Sequence, residues 1–167
     1  MPISLPSSIW MGLYYIGFFG VYGVFLPFWA LWLKGEGMDA EAIGSMLAFA
    51  LLARSAGALI LTRKVNSTVS IIALMKRLTI SAILAFCLFY ISNNVYVVFA
   101  LVVLSNFVFS PLMSLGEAVA AKLVRFNNMD YGKVRLWGSI AFMVASTLTG
   151  LLVENLGHGV ILTSIII

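Results

Sequence analysis

In a chain this apolar, charged side chains are the first candidates for chemistry, because each must be paired, hydrated or put to use. Glu117 and Arg135 lie nine residues either side of Phe126, in the middle of the polar run Arg125-Phe126-Asn127-Asn128. If that run turns one helix into the next, the two charges stand at one depth on neighbouring helices, since each helix advances about 1.5 Å per residue. An acid and a base so placed either tie two helices together or hold an ionic ligand, and spacing leaves both uses open. Arg54 is a third candidate. It sits inside an apolar run, so it either faces protein or a water-filled cavity, or snorkels towards a structural partner.

Other chemistry finds little footing. The chain has a single histidine, His158, beside two glycines, and it reads as a loop residue rather than a proton relay. The one cysteine, Cys87, forms no internal disulfide and reads as a small buried hydrophobe. No HExxH, P-loop, Ser/His/Asp or metal-ligand spacing occurs, so neither an enzyme nor a cofactor or metal site is expected.

Composition says what must position those charges. Of 167 residues, 62% are hydrophobic and 10% charged, with a mean hydropathy of +1.09. That balance belongs to a membrane protein whose partner is the lipid bilayer. The net charge of +4 points to no nucleic acid, because the bases cluster between apolar runs, as they do when they orient a chain in a bilayer.

Six helical segments are expected, at about 9–33, 42–62, 69–91, 95–121, 134–153 and a partial 159–167, in a single all-α transmembrane domain over 1–167. The first apolar run lacks a basic leader and is long enough to span, so it reads as a retained helix rather than a secretory signal. Its glycines favour close packing, Pro27 allows a bend, and Trp10, Trp29 and Trp32 stand near its ends as interfacial anchors do. Tyr14, Tyr15, Phe18, Tyr22 and Trp29 either face lipid, the plainer reading, or line an aromatic substrate pocket.

Residues 78–116 carry no charge, and Ser92-Asn93-Asn94 marks the turn between the third and fourth helices. On the fourth, Asn106, Ser110, Ser114 and Glu117 share one face, which should point away from lipid, and Pro111 supplies a kink. After a loop at 122–133, the fifth helix carries Arg135, Gly138, Phe142, Ser146 and Thr149 or Gly150 on a second mixed face. Lys76 and Arg77, placed in the first two turns of the third helix, reach back to lipid headgroups.

Eight bases, Arg63, Lys64, Lys76, Arg77, Lys122, Arg125, Lys133 and Arg135, flank the 2–3 and 4–5 loops, against Lys34 on the other side and Arg54 inside. This asymmetry places the N-terminus in the cytoplasm.

Three stretches carry a family resemblance. They are Gly23-Val24-Phe25-Leu26-Pro27-Phe28-Trp29 with Trp32-Leu33-Lys34-Gly35, Ala53-Arg54-Ser55-Ala56-Gly57, and Asp130-Tyr131-Gly132-Lys133-Val134-Arg135-Leu136-Trp137-Gly138-Ser139. The chain resembles the 3-phenylpropionate permeases of the major facilitator superfamily, proton symporters distantly similar to lactose permeases. The resemblance implies the N-terminal six-helix half of a twelve-helix transporter, truncated within helix 6. It implies transport of a small aromatic carboxylic acid such as 3-phenylpropionate with a proton. Glu117 and Arg135 match the acid–base pair that contacts substrate in lactose permeases, and Phe142 matches an aromatic residue stacked on the sugar there. By the same resemblance Arg135 anchors the carboxylate, Arg54 is a secondary base, and rings such as Tyr22 form walls. Of the superfamily's usual 2–3 loop signature only Gly57 and Arg63-Lys64 remain, and the proton-coupling groups fall in the other half. A separately encoded C-terminal half would complete such a transporter. The competing expectation is an inactive truncated remnant, or a small self-associating membrane protein without transport activity.

Overall fold

A computed structural model describes residues 7–63, 67–92, 94–127 and 129–166. Lys64, Asn93, Asn128 and Ile167, each part of an expectation above, lie outside the described residues. Helix α1 spans Ser7–Gly35, α2 Ala40–Thr62, α3 Thr68–Cys87, α4 Val95–Asn127, α5 Tyr131–Leu156 and α6 Gly159–Ile166, and a 3-10 turn at Leu88–Tyr90 extends α3. The first five are long and apolar enough to cross a membrane. At about 1.5 Å per residue, the 23 residues of α2 exceed the roughly 30 Å of hydrocarbon, and the 20 residues of α3, extended by its 3-10 turn, also reach across it.

Local chemistry sets the boundaries. Asp39 accepts a hydrogen bond from the Ala42 amide at 2.7 Å, Ser67 from Ser70 at 3.1 Å and Asp130 from Lys133 at 3.2 Å, so α2, α3 and α5 each start on a side-chain cap. Asn94 does the same for α4, taking the Tyr96 amide at 3.0 Å. Helix α5 stops at Gly157, whose φ of 83° suits glycine.

Three expectations are corrected here. The fourth helix does not end near 121: it continues through Lys122, Arg125 and Asn127, and the connection to α5 is only residues 128–130. Arg125 and Asn127 are compatible with helix, whereas Asp130 is the residue that caps a new one. Phe126 is therefore helical: α4 runs on ten residues past Glu117, whereas α5 starts only four residues before Arg135. Trp29 and Trp32 are not interfacial anchors either, being only 2% and 3% exposed. Both indoles pack against other rings instead. In addition, Lys76 falls in the third turn of α3 rather than the first two, though it and Arg77 are exposed as expected.

The chain divides into two compact units. The first contains Met1–Trp29 and Ala118–Ile165, hence most of α1, the end of α4, α5 and nearly all of α6. Its core is aromatic: Tyr15, Phe18, Phe19, Phe25 and Trp29 are all buried. Gly23 lets α1 and α5 meet backbone to backbone, since an added Cβ would stand 2.6 Å from the Phe142 carbonyl oxygen. The outer face of α5, with Leu136, Met143, Leu148 and Leu151, is exposed and apolar, as contact with lipid requires.

The second unit is Ala30–Glu117. There Trp32 meets Phe89 edge-on at 5.4 Å, and Phe86 meets Phe109 at 6.2 Å. Gly57 of α2 packs so tightly on α4 that a Cβ would overlap the Phe107 carbonyl oxygen. One turn later the Ser110 hydroxyl donates to the Arg54 carbonyl at 3.2 Å. Of the polar stripe on α4, Asn106 is buried and bonds the Val102 carbonyl at 2.8 Å, and Ser110 and Glu117 are half-buried, but Ser114 is exposed.

Candidate functional site

Every turn along one face of α1 presents a ring. Trp10, Tyr14, Phe18 and Tyr22 follow one another four residues apart, with centroids 6.2, 6.2 and 5.8 Å from ring to ring. Beside them Tyr15 and Phe19 form a second, more deeply buried pair at 5.9 Å. Sequence had made lipid the plainer neighbour of these aromatics. Instead Tyr15 and Phe18 are buried, and Tyr14 and Tyr22 half-buried.

Helix α5 brings its charge to this face. Arg135 is half-buried, with its guanidinium carbon 3.9 Å from the ring centroid of Phe19 and 5.4 Å from that of Tyr15. At such distances the negative faces of the rings attract the cation, which lowers the cost of holding it away from bulk water. Two turns further along, Phe142 is half-buried and 6.4 Å from Tyr22. Arg135, Tyr22 and Phe142 thus belong to one unit and one pair of helices. Gly138 and Thr149, also on the expected mixed face of α5, are buried, and Ser146 is half-buried.

Glu117 and Arg54 belong to the second unit, each half-buried on its helix, α4 and α2. Phe19 and Tyr15 as neighbours of Arg135 were missed. The α1 aromatics were visible in the sequence, but nothing in the spacing of 15 and 19 against 135 signals that two distant segments meet. At the ends of α1 and α5 an open groove of roughly 440 Å³ is lined by Ser7, Ser8, Asn127, Asp130 and Lys133. Arg135, Tyr22 and Phe142 do not line it. At its edge the Lys133 amide, followed by the Lys133 side chain 3.3 Å away, holds the Asp130 carboxyl below its usual range. Both side chains are largely exposed, so that ion pair adds little to stability.

Span-length helices, buried aromatic faces and a charge lodged among rings together define a multi-pass α-helical membrane protein. The chain belongs to the MFS_1 like family, whose model matches residues 8–167. It is 39% identical over 158 residues to a probable 3-phenylpropionic acid transporter of Escherichia coli (strain K12), a match covering 95% of this chain and 42% of that protein. It is 23% identical over 150 residues to a maltose permease of Geobacillus stearothermophilus, covering 89% of this chain and 38% of the permease. The chain thus spans less than half the length of these relatives. No solved structure matches it.

Proposed function

We propose that the chain is the N-terminal part of a transporter that carries a small aromatic carboxylic acid, such as 3-phenylpropionate, together with a proton across the bacterial inner membrane. The observation that carries this reading is Arg135 among aromatic side chains contributed by α1 and α5. A planar guanidinium can take both oxygens of a carboxylate, and rings beside it suit an aromatic body. The name of the E. coli relative supports the same substrate class. Arg135 is the carboxylate anchor, and Tyr22 and Phe142 are aromatic walls. Glu117 and Arg54 keep the roles the family resemblance implies, an acid that modulates the anchor and a secondary base. The crowding of bases at the 2–3 and 4–5 connections supports a cytoplasmic N-terminus. A second half, on further or separate chain, completes the pathway.

Uptake of labelled 3-phenylpropionate by cells expressing the chain, alone and together with a candidate second half, tests this. Arg135→Lys keeps the charge but loses the planar fork, and is expected to weaken apparent affinity at least roughly tenfold at unchanged protein level. External alkalinisation during uptake should accompany proton entry. Normal uptake by the lysine variant would reduce Arg135 to a structural charge, and absence of uptake with any second half would favour a remnant without transport.

A further inference from the structure

Three residues after Arg135, on the same side of α5, Gly138 leaves a notch. A Cβ there would stand 2.7 Å from Cδ2 of Phe19, 3.2 Å from Cβ of Tyr15 and 3.3 Å from Nη1 of Arg135. The missing side chain is thus what allows a ring of α1 and the guanidinium of α5 to close on one another. Phe19 is itself buried and wedged: Phe18 meets it edge-on at 5.2 Å, Tyr15 at 5.9 Å and Tyr22 edge-on at 6.3 Å. Its ring has little freedom to move, whereas a long arginine side chain has many rotamers.

We infer that Phe19, seated by Gly138, is a positioning residue that fixes the Arg135 guanidinium. As far as transport is concerned, this rests on the reading of Arg135 as carboxylate anchor. The donors of a guanidinium radiate in its plane. A ring against its face restrains that plane, so the orientation of the anchor is set by the protein instead of by its ligand. Lysine has no plane to restrain, which gives the site a reason to carry arginine beyond charge alone. Tyr22, in edge contact with Phe19 and also facing Phe142, joins the ring that holds the anchor to the walls proposed for the ligand.

Arginine-specific modification by phenylglyoxal, read at Arg135 by mass spectrometry on the full chain in membranes, tests the placement without any ligand. Phe19→Leu keeps an apolar side chain but removes the ring, and is expected to speed modification of Arg135 roughly tenfold. Phe19→Tyr keeps the ring and should stay near the wild-type rate. Gly138→Ala, which displaces the ring from outside, should speed modification too and decides the matter if Phe19→Leu does not fold. Modification of the exposed Arg63 serves as the internal reference, and thermal midpoints report folding. An Arg135 rate unchanged in folded Phe19→Leu or Gly138→Ala protein overturns the inference. Adding 3-phenylpropionate separates the two readings: it should protect Arg135 in the wild type and less in Phe19→Leu. If the rate responds to Phe19 while 3-phenylpropionate protects no variant, Phe19 still positions Arg135 and it is the carboxylate-anchor reading that falls.

Discussion

Each unit brings two helices together at a glycine, yet the two contacts differ in hardness and in what lies beside them. In the second unit, Gly57 of α2 closes on the Phe107 carbonyl of α4. That oxygen is the one Pro111 deprives of its helical donor, because proline at position i has no amide to offer the carbonyl at i−4. With the carbonyl aimed where a Cβ would be, the Gly57 Cα–H points at it, a weak hydrogen bond that helps to satisfy a polar atom in an apolar setting. The Ser110 hydroxyl pins the same two helices again at the Arg54 carbonyl. In the first unit, Gly23 of α1 meets the Phe142 carbonyl less tightly, at 2.6 Å from a built Cβ. No proline frees that oxygen, since Ser146 supplies an amide in the usual place, so this contact is packing alone. Beside it stand Tyr22, Phe142 and, two turns earlier, Arg135. A stiff crossing secured by backbone acceptors suits a scaffold, and the looser one, with charge and rings around it, carries the candidate site.

The hardest test of that contrast is Gly57→Ala. A backbone oxygen cannot swing aside as a side chain does, so the substitution is expected to cost about 3 kcal/mol and to reduce accumulation in the membrane. Gly23→Ala meets the same kind of atom at greater distance and should cost about 1 kcal/mol. Thermal denaturation of both variants in detergent measures the difference, and equal losses would erase the distinction between the crossings. Ser110→Ala removes only the second pin and is expected to cost about 0.6 kcal/mol, the size typical of hydrogen bonds between membrane helices. A loss as large as that of Gly57→Ala would move the weight of the α2–α4 contact from the glycine to the hydroxyl.

How far this was legible in the sequence depends on whether the signal was local. Long apolar runs show as hydropathy, so five spans and the short α6 could be read directly. The Asp130 cap went unread, because the whole stretch 122–133 reads as a loop: charge and amide side chains look alike whether a helix ends or emerges from the bilayer. Trp29 and Trp32 were assigned to the interface on residue type. Their burial depends on Phe25 and Phe89, and the second of these lies more than fifty residues away in the chain. Arg135 was singled out because a charge in an apolar helix demands a reason. Its aromatic partners were invisible for the opposite reason: in a chain with 12 phenylalanines and 6 tyrosines, none stands out.

The smallest expected effect concerns the residue that leads into the looser crossing. Asp130 caps α5, and the Lys133 amide holds its carboxyl below the usual carboxylate range. A group whose pKa is lowered by folding contributes stability that is fully present above its unfolded value and is lost as pH falls through its folded value. The contribution of Asp130 therefore disappears only on the acid side of the ordinary carboxylate range, and its exposure keeps it small. Asp130→Asn retains an oxygen to accept the amide while removing the titration. Thermal midpoints of the two proteins, followed from neutral pH downwards, should differ slightly at neutrality in favour of aspartate and converge in acid. Parallel curves would mean that the cap acts by its hydrogen bond alone, and that the α5 start, four residues ahead of Arg135, owes nothing to the charge of Asp130.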